Sequence, residues 1–143
     1  GSVAVGRQLT PPTKPTKPTE PGSIMIVLAT DAPLDSRQLH RLCVRVAAGL
    51  ARTGSTLHHG SGDFVIAFST ARRIAHQPHT LVQTLPVLED EGQFMQWAFP
   101  AVVESVEEAV LNSLCMATTL EGRDGHVRYA LPLEEVKRLV IGN

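Results

Sequence analysis

The feature that most constrains this chain is a run of six apolar residues, Ile24–Ala29, which begins directly after a proline-rich stretch. Pro21 and Gly22 bound the run in front, and Asp31 opens the turn behind it. The run is short for a helix and rich in β-branched side chains, which favours a strand. Because uninterrupted apolar strands are typical of sheets covered on both faces, we predict a central, buried strand.

The proline-rich stretch from Thr10 to Pro21 holds five of the ten prolines in the chain. Such a composition cannot bury enough apolar area to order itself, so we predict an extended, accessible linker. The preceding residues, 3–7, predict the end of a strand or a loop. We therefore divide the chain at the end of this linker, into residues 1–22 and residues 23–143.

Composition excludes several classes of function for the chain as given. Its 143 residues suit one domain, and a net charge of −1 gives no basic excess for nucleic acid. No apolar run reaches the roughly 18 to 20 residues of a membrane span, and the first residues do not form a signal peptide. Cys43 and Cys115 fall on apolar faces of predicted helices, which indicates buried free thiols in a reducing, cytoplasmic setting.

Helices and strands alternate along the rest of the sequence. Asp35 is a predicted helix N-cap with Gln38 at the capping-box position, and the helix ends at Gly54. Its apolar stripe leaves Gln38 on the opposite, polar face with three arginines. A strand is predicted at 64–70, followed by a loop at 71–92 with one short edge segment near 81–85. A long helix is predicted from Phe99 and Pro100 to 119. The last predicted elements are a polar turn at 121–126, an extended piece at 127–131 and a helix at 132–141. This order predicts layered sheet and helices.

The junction of linker and strand places Gly22 before Ser23, and this pair is the first candidate for chemistry. Serine is a weak nucleophile unless a base takes its proton, and a cut before Ser23 would free an α-amine with a pKa of about 7.7 to 8.0. Attack of the Ser23 hydroxyl on the Gly22 carbonyl would make that cut. Glycine permits the strained backbone that such an attack requires.

The second candidate is Ser61 with Asp63, at the start of the second predicted strand. Asp63 is suited to orienting either the Ser61 hydroxyl or the Ser23 amine. Without further context, a β-turn with an Asx-type hydrogen bond is the favoured explanation of the same residues. The neighbouring His58 and His59 have no partner at helical spacing, so we predict no metal site there.

One further group of polar residues lies in the predicted turn near the end of the chain. Arg123, Asp124 and His126 favour an exposed, salt-bridged turn over a catalytic His–Asp pair.

Several separate motifs, in order, resemble the C-terminal half of the DmpA-type aminopeptidase family, which contains L-aminopeptidase/D-esterases and β-peptidyl aminopeptidases. The likeness extends over nearly all of Ser23 to Ile141. Its motifs are residues 22–34, 49–55, 61–70, 104–109, 122–126 and 130–132.

This resemblance implies a precursor that cuts itself between Gly22 and Ser23 and then uses Ser23 as its N-terminal nucleophile. Ser61 and Asp63 take the positions of the pair that holds and activates the nucleophile, although β-peptide-cleaving members have glutamate in place of Asp63. The implied enzyme is an aminopeptidase that acts on short peptides, amides or esters without a cofactor. An amide-oligomer hydrolase or acyltransferase on the same scaffold, and an inactive packing module, are the alternatives.

The resemblance also implies a fold and an assembly. The fold is α+β, a layered αββα sandwich related to the ornithine acetyltransferases. Residues 1–22 correspond to the end of an N-terminal portion with its linker, and residues 23–143 correspond to a C-terminal portion. The partner of this chain is the N-terminal portion of its own precursor, and the cleaved heterodimers form a homo-oligomer. That portion supplies the oxyanion-hole groups, so the 143 residues alone should be nearly inactive.

Overall fold

The structure is a computed structural model, and it describes residues 3–9, 22–77 and 79–142. The predicted linker at 10–21 lies outside these ranges. The helices are α1 (Val5–Gln8), α2 (Ser36–Arg52), α3 (Gln93–Met116) and α4 (Leu133–Ile141). The strands are β1 (Met25–Thr30), β2 (Phe64–Ser69), β3 (Leu120–Glu121) and β4 (Val127–Arg128), with a 3₁₀ turn at Arg123–Gly125.

The described residues form two compact units, one of residues 22–108 and a smaller one of residues 3–9 with 109–142. In the larger unit, β1 and β2 pair in parallel, from Met25 opposite Phe64 to Thr30 opposite Ser69. Parallel strands need a crossover, and α2 supplies it. The mixture of helices and strands agrees with the predicted α+β class.

The prediction of a central strand buried on both faces is wrong for the described chain. β1 is one of two strands in its sheet, and exposed residues alternate with half-buried ones along both strands. The outward side chains are apolar. The large ones are 44 to 64% exposed: Met25, Val27, Phe64, Ile66 and Phe68. The apolar run therefore carries side chains suited to burial on two faces, and the described residues cover only one of them.

The start of α2 confirms the predicted capping box. The Gln38 N–H donates to Asp35 Oδ1 at 2.7 Å, and the Asp35 N–H donates to Gln38 Oε1 at 3.0 Å. The predicted stop is confirmed as well, because Gly54 follows the C-cap with φ +99°. The prediction that Gln38 lies on the polar face is wrong: it is 1% exposed, and its Nε2 donates to the Leu88 carbonyl at 2.6 Å.

The core of the larger unit lies where α2 meets α3. A Cβ built on Gly49 would lie 2.6 Å from the Val103 carbonyl oxygen, so the absence of a side chain permits this close approach. The buried apolar residues are Ala32, Leu34, Leu42, Val46, Leu50, Met95, Ala98, Val102 and Val106.

The third helix begins earlier than predicted, at Gln93 instead of near Phe99. Pro100 therefore lies inside α3, where its missing N–H leaves the Gln96 carbonyl without the usual helical partner. Burial of Met95 and Ala98 explains the longer helix, because they extend the face that carries Val102 towards the N-terminus. Beyond Val106 the predicted apolar stripe is largely exposed, as Leu114 at 48% shows.

Three smaller predictions need correction. Residues 5–8 form α1 instead of a strand or loop. The described parts of 71–92 contain no strand, so the edge segment near 81–85 is wrong. Cys43 is half-buried and Cys115 is exposed, although both are free thiols. The turn, the extended piece and the last helix of the smaller unit agree with the prediction.

No helix in the described ranges has the length and hydropathy that a membrane crossing requires.

Candidate active site

The candidate nucleophile, Ser23, lies two residues before β1, at the end where β2 also begins. Continuing the parallel register one step places Ile24 opposite Asp63, and the hydrogen bond from the Phe64 N–H to the Ile24 carbonyl, 3.0 Å, extends the pairing to this point. A short polar segment, Ser61–Asp63, therefore runs beside the Gly22–Ser23 peptide. The structure thus brings together the two candidate groups that the sequence separates by about forty positions.

Three short contacts join the two segments, and a fourth lies within the Ser61–Asp63 segment. The Gly62 N–H donates to Ser23 Oγ at 2.9 Å, and the Ile24 N–H donates to Asp63 Oδ1 at 3.1 Å. Ser61 Oγ lies 2.8 Å from the Gly22 carbonyl oxygen and 2.6 Å from Asp63 Oδ1. Since a serine hydroxyl carries one hydrogen, it donates to one of these two acceptors at a time.

These contacts surround the Gly22–Ser23 peptide bond with hydrogen-bond donors. The Ser61 hydroxyl can polarise the Gly22 carbonyl, and the Gly62 N–H can stabilise negative charge on Ser23 Oγ. Asp63 accepts from the peptide N–H that follows Ser23, and it accepts from the Ser61 hydroxyl when that hydroxyl does not donate to Gly22. The arrangement suits an attack by Ser23 Oγ on the carbonyl that precedes it.

Sequence reasoning left two partners open for Asp63, and the contacts favour one. Asp63 lies against the Ser61 hydroxyl, and it also accepts from the Ile24 N–H instead of from an atom of Ser23. Ser23 is exposed, whereas Ser61 and Asp63 are half-buried. The carboxylate therefore steadies the segment around the nucleophile from the more protected side.

A β-turn is present too, but it spans residues 58–61, two residues before the predicted segment that begins at Gly60. The Ser61 N–H donates to the His58 carbonyl at 2.8 Å, and the Gly60 N–H donates to His58 Nδ1 at 3.1 Å. From the sequence, His58 was a candidate only for binding a metal. Histidine two residues before glycine was the available signal, because Nδ1 can accept the hydrogen bond that an asparagine oxygen makes in an Asx-turn.

Glycine at position 62 matches the close approach of the two segments. A Cβ built there would lie 3.4 Å from Ser23 Oγ, at the near limit of ordinary van der Waals contact. Any side chain at this position would therefore begin in direct contact with the nucleophile's oxygen.

Two of the cavities among the described residues border β1. One of about 190 Å³ adjoins the candidate site, because Ile24 and Asp63 are part of its lining, and apolar side chains of α2 and Leu57 supply most of the rest. The other, of about 270 Å³, lies between the far end of β1 and α3 and includes Trp97 in its lining. Of these two, the smaller cavity reaches the Ser61–Asp63 segment.

No group of three histidine, cysteine or acidic side chains within the described ranges is arranged to hold a metal ion. In the smaller unit, Arg123 Nε lies 3.3 Å from Asp124 Oδ2, and both side chains are highly exposed. The predicted salt-bridged turn is confirmed.

The family model for peptidase family S58 matches residues 1–128, which is most of the chain. The chain belongs to peptidase family S58. The resemblance to DmpA-type aminopeptidases is thereby confirmed. Family S58 relatives include the β-peptidyl aminopeptidase BapA of Sphingosinicella microcystinivorans, which is 35% identical over 135 residues, 94% of this chain and 34% of the relative.

Two solved structures are similar to this member of family S58. The PH0078 protein of Pyrococcus horikoshii is 48% identical with a TM-score of 0.72, over 82% of this chain and 33% of the other. The L-aminopeptidase D-Ala-esterase/amidase of Ochrobactrum anthropi is 33% identical with a TM-score of 0.73, over the same shares. It is a prototype of the serine aminopeptidases and a variant of the Ntn hydrolase fold. The chain spans about a third of the length of these relatives.

Proposed function

We propose that this chain is part of a self-cleaving serine aminopeptidase, in which a cut between Gly22 and Ser23 frees Ser23 as the N-terminal nucleophile. The observation that carries the proposal is the pair of donors on this peptide: the Ser61 hydroxyl at the Gly22 carbonyl and the Gly62 N–H at Ser23 Oγ. Membership of family S58 and likeness to aminopeptidases support it.

The cut begins when Ser23 Oγ attacks the Gly22 carbonyl carbon. The negative charge that develops on the Gly22 oxygen is stabilised by the Ser61 hydroxyl. The carbon–nitrogen bond then breaks, the Ser23 nitrogen takes the hydroxyl proton, and the Gly22 acyl group is left as an ester on Ser23 Oγ. Water hydrolyses this ester, which leaves a Gly22 carboxylate and a Ser23 with free amine and hydroxyl.

Turnover repeats the same chemistry on a substrate. The freed Ser23 amine accepts the hydroxyl proton as Oγ attacks the carbonyl of the substrate's N-terminal residue. The proton passes to the leaving amine, and water releases the acyl group from Ser23. Ser61 and Asp63 hold the nucleophile's surroundings, and the Gly62 N–H stabilises Oγ when it leaves. The substrates we propose are short peptides, amides or esters.

The proposed partner is the N-terminal portion of the same precursor. This portion would correspond to the part of the relatives' length that the chain does not span. It would cover the exposed apolar face of β1 and β2 and so complete a layered αββα sandwich, because parallel strands are stable when both faces are buried. We propose that it also supplies oxyanion-hole donors, each worth about 3 to 4 kcal/mol. The cleaved heterodimers would assemble into a cytoplasmic homo-oligomer.

The test is an aminopeptidase assay on this chain produced together with that N-terminal portion. We expect release of p-nitroaniline from amino-acid p-nitroanilides, and loss of release in Ser23→Ala. The matched control is Ser113→Ala, an exposed serine on α3 whose Oγ donates to the Val110 carbonyl. Turnover that survives Ser23→Ala would contradict the proposal, and acetyl transfer from acetyl-ornithine in place of hydrolysis would favour the acyltransferase alternative.

A further inference from the structure

The turn that carries Ser61 is held by a side chain with no role in the chemistry described above. His58 accepts twice within this turn: its carbonyl accepts from the Ser61 N–H at 2.8 Å, and its Nδ1 accepts from the Gly60 N–H at 3.1 Å. Both bonds act on the backbone directly before the two donors of the candidate site, Ser61 Oγ and the Gly62 N–H. Movement of this backbone would move both donors.

The Nδ1 contact sets a requirement on the imidazole. A ring nitrogen that accepts from an N–H carries no proton, so this bond needs Nδ1 as a bare acceptor. An asparagine oxygen in an Asx-turn occupies a similar place and accepts from the same backbone N–H two residues on. Asparagine can therefore replace the contact, whereas an aliphatic side chain cannot.

The residue before the turn indicates that this backbone is held in a specific conformation. Leu57 has φ +50°, a left-handed conformation that is unusual for a bulky side chain. Its N–H donates to Ser55 Oγ at 3.2 Å, and its side chain lines the cavity that Ile24 and Asp63 also line. Packing thus fixes the turn on one side, and His58 fixes it on the other.

We propose that His58 is a positioning residue for self-cleavage and turnover: through Gly60 it sets where the Ser61 hydroxyl and the Gly62 N–H lie. This inference rests on the proposed function for its effect on rate, but the geometric part is independent of it. His58 touches none of the reacting atoms. It acts through the backbone of the Ser61–Asp63 segment.

The experiment compares His58→Leu, His58→Asn and the neighbouring control His59→Leu, each in the chain produced with its N-terminal portion. The His59 side chain makes no hydrogen bond within the described ranges, so it matches His58 in type and exposure without the contact. We expect His58→Leu to slow cleavage at Gly22–Ser23 and to lower kcat about two- to tenfold, the range of one neutral hydrogen bond. His58→Asn should stay near the wild-type rate, and so should His59→Leu.

A second readout is amide hydrogen exchange at Gly60, measured by NMR alongside the thermal unfolding midpoint. Protection of this amide should fall in His58→Leu and persist in His58→Asn. A wild-type rate in His58→Leu, an Asn variant as slow as the Leu variant, or unchanged Gly60 protection would each overturn the inference. A wild-type protein that never cuts would contradict the proposed function instead, and the Gly60 exchange would still decide whether His58 holds the turn.

Discussion

Removing the Ser61 hydroxyl should slow the cut between Gly22 and Ser23 more than any change outside the nucleophile. Ser61 Oγ lies 2.8 Å from the Gly22 carbonyl oxygen, where the negative charge develops. Loss of one such donor costs about 3 to 4 kcal/mol in serine hydrolases, which corresponds to a rate about a hundred- to a thousandfold lower. We therefore expect Ser61→Ala to remain largely uncut over times in which the wild type is fully processed.

The assay is intact-mass spectrometry of samples taken at intervals after synthesis of the chain with its N-terminal portion. Ser61→Thr keeps a hydroxyl and should recover most of the rate, whereas Ser113→Ala should match the wild type. Cleavage of Ser61→Ala within about threefold of the wild-type rate would refute the role that we give to this hydroxyl.

Three further predictions concern the carboxylate of the site and the scaffold. Asp63→Asn keeps the shape of the side chain but removes the negative charge that the Ser61 hydroxyl and the Ile24 N–H contact. A hydrogen bond to a charged group contributes about 1.5 to 3 kcal/mol. Cleavage should therefore slow about tenfold to a hundredfold in the same mass assay. Gly49→Ala should lower the free energy of unfolding measured in urea. The new methyl group would crowd the Val103 carbonyl at a cost of about 1 to 3 kcal/mol, which exceeds the gain in helix propensity of about 1 kcal/mol. An unchanged urea midpoint would show that α2 and α3 can move apart to make room for it. The hydrogen bond from Arg37 lowers the pKa of Asp90 in the folded protein below its ordinary value. The stability that this interaction adds is therefore fully present above the pKa of the unfolded chain, about 3.9, and is lost as the pH falls through the lower pKa of the folded protein. Asp90→Asn should therefore have a lower thermal midpoint at pH 7 and converge with the wild type in acid, and a constant difference between pH 7 and pH 2 would contradict this.

Local patterns in the sequence were sufficient for the elements that local chemistry determines. Asp35 and Gln38 indicated the start of α2, and Gly54 indicated its end, because capping depends on residues within one turn of each other. The same locality explains the error at Pro100, where a proline that suits a first turn lies inside α3. Packing of Met95 in the core decided where that helix begins, and no local signal reports such packing.

Contacts between distant segments could not be read from the sequence by spacing alone. Ser61 and Asp63 were chosen as candidates, but only the parallel register of β1 and β2 brings them beside the Gly22–Ser23 peptide. The burial of Gln38 was missed for a similar reason, since its partner is the Leu88 carbonyl fifty positions away. The role of Ser23, Ser61 and Asp63 in catalysis stays a prediction.

The outer face of β1 and β2 shows how a strand can be identified correctly and its surroundings wrongly. Residues 24–29 carry apolar side chains on both faces, and the described chain covers one. The strand's own composition therefore indicates a packing partner for the outer face that the described residues do not supply. This is the physical reason to study the chain together with the N-terminal portion that we propose as its partner.

The most direct test of this account is to identify the N-terminus of the mature chain by intact mass and N-terminal sequencing, for the wild type and for Ser23→Ala. We expect a wild-type product that begins at Ser23 with a free α-amine, and a Ser23→Ala protein in which the substituted residue remains joined to Gly22. A wild-type product that begins at any other residue, or a Ser23→Ala protein that is cut at the same bond, would contradict it.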